Sequence, residues 1–298
     1  MKFVDVTNDV AFRKIFGNEH KTIIIISFLN AILKLEGDAR IQEVTITNPY
    51  QLPRVAGEKA SIIDVKVKDM KGRQFVVEMQ VADVNGFDKR VQYYACRDYS
   101  LQINRGEEYP KLKPTYFVGI LDFNFFDGKK FLSHHLLLDD ETYEHKLKDI
   151  KFTFIELKKF HKHLADLEDM IDKWTFFIKN AENLDIIPNN VDDEGLREAY
   201  KDADKHSWTK DELVAYDDAS IAEQDARGRI TAAEGRGLEQ GKIEGRVEGK
   251  IEGKIEGKLE EKTETIRECL EMKMSVSNIA RIVRLSEGEV QQIIDNLS

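Results

Sequence analysis

Between Gly237 and Gly257 a glycine stands at every fourth position, in the run GLEQ GKIE GRVE GKIE GKIE GKLE. Each glycine inside a helix costs about 1 kcal/mol relative to alanine, so six cost about 6. Glu244, Glu248, Glu252 and Glu256 stand four apart, as do Lys242, Arg246, Lys250 and Lys254. Like charges at that spacing repel weakly. The run nevertheless holds no proline, and Ile or Val recurs with the same period. A period of four exceeds the 3.6 residues of a helical turn, so each stripe drifts about 40° per repeat in the right-handed sense. Two readings compete. One is a long helix whose glycine stripe lets a second helix approach, giving a homo-oligomer; the other is a frayed spacer. On either reading the repeat divides the chain.

Composition bounds the rest. A chain of 298 residues has room for about two domains. Hydrophobic residues reach 41%, enough for a core, and charged residues 34%, above the roughly 25% of an average domain. With no run of about 18 apolar residues, a membrane span is not expected. The start, MKFVDVTNDVAFRKIFG, lacks a cationic segment followed by an apolar block and a small-residue cleavage site, so no secretory signal is expected. Cys96 and Cys269 form neither a disulfide framework nor a zinc cluster, and a cytoplasmic location follows as the expectation. The net charge of −10 argues on its face against nucleic acid. It is unevenly spread. Residues 1–130 carry 20 Lys+Arg and 17 Asp+Glu, residues 131–235 carry 14 and 25, and residues 236–298 carry 11 and 13. The mildly basic first segment leaves room for a DNA-binding face.

That segment reads as mixed α/β. In TNDVAFRKIFG, cap-type Thr7, Asn8 and Asp9 precede a helix that places Phe12, Ile15 and Phe16 on one face, with Gly17 as its stop. A second helix follows through Leu35. IQEVTIT at 41–47 alternates and is β-branched, which predicts a strand. Residues 60–82, ASIIDVKVKDMKGRQFVVEMQVA, place two β-branched runs around a turn. A three-residue loop, Met70-Lys71-Gly72, puts Gly72 in the left-handed position, sets Asp69 opposite Arg73 and, by continuation, Asp64 opposite Glu78. Alternation puts Glu78 and Gln80 on one face. Carboxylates beside apolar residues are costly to bury unless paired or bound to a cation. Two of them form a hard oxygen site suited to Mg²⁺; alternatively, both face water on the open side of the hairpin.

Residues 87–105, FDKRVQYYACRDYSLQINR, predict a helix anchored by Tyr93, Tyr94 and Leu101. Arg90 and Arg97 either contact phosphate or are simply solvated. PTYFVGILDF at 114–123 reads as a buried strand. The order is helix, strand, hairpin, helix, buried strand.

This order, with the Asp64 strand followed by VEMQ at 77–80, resembles the PD-(D/E)XK nuclease superfamily. TNDVAFRKIFG at 7–17, KRVQYYACRDYSLQINRGEEYPKLKPTYFVGILDF at 89–123, FTFIELKKF at 152–160, the segment from Trp174 and the glycine repeats are similar to its recombination-promoting nuclease (Rpn) and transposase branch. The resemblance implies an αβββαβ core and hydrolysis of DNA phosphodiester bonds, in recombination or as a transposase-like protein. It implies Asp64 and Glu78 as ligands of Mg²⁺ or another divalent cation, and Gln80 as the residue that orients water where most superfamily members carry lysine. Asp9 supports the site from the first helix or caps that helix. Arg90 steadies a phosphate, and Tyr94 lies beside it in the same helix. No small-molecule cofactor is implied. A nuclease fold without catalysis, binding a partner or itself through its helical tail, is the alternative.

Downstream, KFTFIEL predicts a strand and HLADLEDMIDKWTFFIKNA a helix with Met170, Trp174, Phe177 and Ile178 on its apolar face. His134, His135, His161 and His163 lack metal-ligand spacing. Residues 263–298 have the rhythm of a small helix-turn-helix unit, with Ser275 or Ser277 and Ser286 as caps. Its last helix carries Glu287, Glu289 and Asp295 and no Lys or Arg, which favours protein contact over groove reading. The expected division is a nuclease core with helical extension (1–187), an acidic helical connector (188–235), the repeat as helix or spacer (236–262) and the terminal unit (263–298). Circular dichroism of residues 228–262 across concentration separates the two readings of the repeat. Helicity that grows with concentration marks association, and a concentration-independent coil removes it.

Overall fold

The computed structural model describes residues 2–47, 50–51 and 61–297. Ala60, the first residue of the hairpin stretch, lies outside the described residues. Helix α1 (Asp9–Phe16) starts from Asn8, whose side-chain oxygen accepts from the N–H groups of Val10 at 2.9 Å and Ala11 at 3.3 Å. Those donors have no partner inside the helix, which is why a short polar residue stands there. The cap is therefore Asn8, and Asp9 is the first helical residue. Phe12, Ile15 and Phe16 are all buried, and Gly17 ends the helix as expected. Helix α2 (Ile23–Ile32) follows, capped by Leu33.

Strand β1 (Val44–Ile46) is shorter than the alternating run that predicts it. Two short strands, β2 (Tyr50–Gln51) and β3 (Ser61–Ile62), pair with each other. The hairpin is formed by β4 (Val65–Asp69) and β5 (Gln74–Gln80) in the expected register, with Lys68 opposite Gln74 and Val65 opposite Val77. Gly72 adopts φ +81°, where a side chain would be strained and its Cβ would lie 3.0 Å from Lys113 Cγ. Helix α3 (Phe87–Ser100) then carries the chain across the sheet to β6 (Thr115–Leu121), which runs parallel to β5. After β7 (Leu132–His135), β8 (Ile150–Glu156) pairs parallel with β6 and antiparallel with β7. The six-stranded order is β1-β4-β5-β6-β8-β7. This is a mixed α/β fold consistent with a PD-(D/E)XK-like architecture. Strand β7 is not foreseen, because Leu-Ser-His-His has neither β-branched residues nor clear alternation.

Side-chain alternation divides β5 between two apolar layers. Phe75, Val77 and Met79 join Val65 and Val67 beneath α1, α2, α4 (Met170–Asn180) and α5 (Glu194–Ala203). Val76 joins Phe117 and Phe154 under Phe87, Val91 and Ala95 of α3. The anchors of α3 are therefore Phe87, Val91 and Ala95. Tyr94 is half-buried and packs against this layer as expected, whereas Tyr93 is 40% exposed, which corrects the expectation that it holds the helix down. The stretch HLADLED is not part of α4. Asp169 caps that helix by accepting from Asp172 N–H at 2.9 Å, while Trp174, Phe177 and Ile178 enter the core as predicted.

A hydrogen-bonded joint ties α2, α4 and α5. Trp174 Nε1 donates to Ser27 Oγ (3.2 Å), and Ser27 donates to Asp193 (2.7 Å). Asp193 in turn accepts from Leu196 N–H (2.8 Å) and so caps α5. Gly195 permits the close approach, since a Cβ there would lie 2.6 Å from both Ile23 O and Ser27 Cβ. Val191, Leu196, Tyr200, Trp208 and Tyr216 belong to the same core. Packing thus continues past residue 187, into the segment that the sequence reading takes as connector.

The chain forms two compact units, Met1–Asp225 and Ala226–Ser298. Helix α6 (Lys210–Glu271) passes through the glycine repeat without a break. Among the described residues, nothing beyond the helix's own adjacent turns lies within 4 Å of where Cβ atoms would stand on Gly237, Gly241, Gly245, Gly249, Gly253 or Gly257. Ile243, Val247, Ile251, Ile255 and Leu259 are exposed. Within the second unit the end of α6 packs on α7 (Val276–Val283) and α8 (Glu287–Leu297) through Ile266, Cys269, Ile279, Val283 and Val290. Ser286 caps α8 reciprocally with Glu289, which accepts from Ser286 N–H at 2.8 Å. Among the described residues no helix is long and apolar enough to cross a membrane.

The tight hairpin rests on a buried ion pair. Asp69 accepts from Arg73 N–H (2.8 Å) and from Arg73 Nε (2.6 Å), with side chains 3% and 10% exposed. Removing one partner leaves the other charge buried and uncompensated, so Asp69→Ala should lower the unfolding free energy by about 3 kcal/mol. Urea denaturation followed by circular dichroism checks this. A loss below about 0.5 kcal/mol, the usual scale of a neutral surface change, would rule the pair out as a structural element.

Candidate active site

Asp64 lies in a bend immediately before β4, one residue outside the strand proper. Continuing the ladder one step beyond Val65–Val77 sets it across from Glu78. Both of its oxygens are engaged. Oδ2 accepts from Met79 N–H on β5 at 2.9 Å. Oδ1 accepts from Arg13 Nε at 3.1 Å and Nη2 at 2.7 Å. The Asp64 side chain is 7% exposed and that of Arg13 49%. Arg13 comes from α1, one turn beyond Asp9, and i,i+4 residues share a helix face.

Glu78 occupies the α3 side of β5, where Val76 precedes it and Gly119 of β6 pairs with it. It is buried, and its Oε1 has no hydrogen-bond partner among the described residues. Burial, followed by the charge of Asp64, pushes its carboxyl well above the usual range. Arg90, the Asp64 N–H and Arg13 act in the opposite direction. Asp9 is exposed as a residue, yet lost hydration and then the Asp64 charge raise its carboxyl too, against Arg13.

Gln80 ends β5 with both ends of its amide engaged. Its Nε2 donates to Ala82 O at 2.8 Å, and its Oε1 accepts from Arg90 of α3. The second amide hydrogen remains beyond the Ala82 bond. The Arg90 guanidinium also lies 5.3 Å from the Phe87 ring centroid. Tyr94, one turn along α3, is raised by burial and then by Glu78. Arg97 lies further along α3 and donates to Tyr93 Oη at 3.1 Å. Lys66, two residues after Asp64, is held by Asp98 at 2.5 Å.

The fold thus assembles Asp64, Glu78, Gln80, Asp9, Arg90 and Tyr94 around the end of β5, and adds Arg13, which the sequence reading leaves unassigned. The available signal was its spacing of four from Asp9. Among the described residues no three His, Cys, Asp or Glu side chains are placed to hold a metal ion. The donor chemistry still fits a hard cation, because a buried carboxylate oxygen without a partner is what such an ion satisfies. His134 bonds Thr153 and His135 bonds Ser133, each at 3.0 Å.

Comparison with known families matches residues 6–233 to the PD-(D/E)XK nuclease family transposases. No curated protein and no solved structure matches the chain. The match covers most of the sequence, including every residue of the cluster around β5, so the chain belongs to the PD-(D/E)XK nuclease family transposases.

Proposed function

We propose that the protein is a Mg²⁺-dependent DNA endonuclease that hydrolyses phosphodiester bonds, acting in recombination or as a transposase-like protein in the cytoplasm. The observation that carries this reading is the buried, unpartnered Glu78 Oε1 across the hairpin from Asp64. These two carboxylates would hold the cation, with water and phosphate filling its remaining positions. When bound, a divalent cation polarises the scissile phosphate and lowers the pKa of a coordinated water. Gln80 orients the attacking water through its remaining amide hydrogen. Arg90 buttresses Gln80 and contributes positive charge where most of the superfamily has a lysine; Lys66 does not replace it, being tied to Asp98. Arg90 is also suited to a charge-assisted contact with phosphate. Asp9 and Tyr94 support the site from α1 and α3.

Residues 1–187 and the packed part of 188–235 are assigned to the catalytic unit. The repeat at 236–262 is assigned to homo-oligomerisation, supported by its exposed Ile, Val and Leu stripe and by the open space over its glycines. For residues 263–298 the acidic α8 favours protein contact over DNA. This tail is also what favours the second reading, a binding or oligomerisation module on a nuclease fold.

A plasmid-nicking assay separates the two. Cleavage should require Mg²⁺ and disappear in Asp64→Ala and Glu78→Ala, with circular dichroism unchanged. If Asp64→Ala cuts as fast as the parent, the catalytic assignment is wrong. A second outcome follows from burial. In the fold Glu78 holds its proton at pH values where the unfolded chain has lost it. Its full stability contribution is present below the ordinary carboxylate pKa and is lost as pH rises through the raised one. Without divalent cations, Glu78→Gln should therefore raise the urea midpoint at pH 7.5, with the gain shrinking as pH falls towards 4. A gain independent of pH would mean that ionisation is not its cause.

A further inference from the structure

The role of Arg13 does not follow from a carboxylate pair alone. Its guanidinium places both Nε and Nη2 on one oxygen of Asp64, Oδ1, while Oδ2 is taken by the backbone of Met79. The two contacts differ in kind. The Met79 N–H is fixed in the centre of the sheet, and losing it would disturb β5. The Arg13 arm is half exposed and rises from the surface of α1. Only Oδ1 can be released without moving the sheet, and it is the oxygen that Arg13 covers.

Charge gives the same answer. With no cation, Arg13 offsets Asp64, while Glu78 has one oxygen with no hydrogen-bond partner among the described residues. A divalent ion held by Asp64 and Glu78 would set two positive charges near the guanidinium, and in a partly desolvated site that repulsion is large. Asp9, one helical turn away on α1, pulls on the same arginine. A freed guanidinium at the mouth of the site has the planar fork that matches phosphate oxygens.

We infer that Arg13 is a displaceable latch on Asp64: it competes with the divalent cation for Oδ1 and, once displaced, becomes a ligand for a DNA phosphate. This inference rests on the cation reading of the site proposed above. A guanidinium that acted on the cation by charge alone would leave Arg13→Lys with the parent's affinity, because lysine keeps the charge.

The test is Mn²⁺ binding by isothermal titration calorimetry on the full chain, comparing the parent with Arg13→Ala and Arg13→Lys and using circular dichroism to check folding. Arg13→Ala should bind Mn²⁺ roughly tenfold tighter, since a charged hydrogen-bonded competitor is gone. Arg13→Lys should fall between, because an ammonium lacks the two-pronged contact, and it serves as the test variant should Arg13→Ala fail to fold. Binding of a short duplex in Ca²⁺ should weaken in Arg13→Ala, and its salt dependence should become shallower by about one unit of slope. Unchanged or weaker Mn²⁺ affinity in a folded variant overturns the latch. An unchanged salt slope overturns the transfer to phosphate. If neither the parent nor Arg13→Ala binds Mn²⁺, the cation site itself fails and the latch with it. Binding by Arg13→Ala alone would support both.

Discussion

Strand β5 must satisfy two apolar layers and still deliver an acid. It lies inside the sheet, antiparallel to β4 on one side and parallel to β6 on the other. Phe75, Val77 and Met79 fill the layer under α1 and α2, and Val76 fills the layer under α3. The next α3-facing position is Glu78, so the carboxylate is placed by the same alternation that packs the core. The hairpin turn, the bend at Asp64 and the crossover of α3 all converge on this strand. A shift of one residue in its register would send Glu78 into the layer beneath α1 and bring Met79 to the site.

That placement explains why the site is electrostatically costly. Desolvation of an unpaired carboxylate favours its protonated form, and the neighbouring Asp64 deepens the effect. Three cationic or polar devices from different elements surround the pair. Arg13 covers Asp64 from α1, Arg90 reaches Gln80 from α3, and Met79 N–H fixes Asp64 from within the sheet. None fills the position at Glu78 Oε1. The site therefore carries a local deficit of positive charge within a chain segment that is mildly basic overall, and the excess acid of the whole protein lies later in the chain.

The second unit follows a different physical rule. In the first unit Gly195 stands where α5 must come close to α2. In α6 the glycines face open space and the apolar stripe is exposed. A helix that accepts about 1 kcal/mol per glycine with no contact in return is stabilised by something outside its own chain, or by propagation from its packed ends. Those ends are well anchored: Tyr216 belongs to the first core and Leu213 packs against it, while Ile266 and Cys269 belong to the terminal helical cluster.

Local patterns in the sequence determined the local structure. Asn8 lies among three cap residues, Gly72 forces the loop that sets the hairpin register, and alternation assigns Glu78 and Gln80 to one face; each depends on neighbours a few residues apart. The resemblance carried the family. Other features depended on contacts between segments remote in the chain. Tyr93 reads as an anchor because aromatics usually bury, but the face of α3 that packs on the sheet carries Phe87, Val91 and Ala95, with Tyr94 at its margin. Strand β7 exists because β8 offers it an edge, and Tyr200 and Trp208 join the first core because α5 packs on α2. The pairing of Arg13 with Asp64 spans 51 residues. No spacing rule could have joined them, because their contact exists only after α1 has packed against the start of the hairpin.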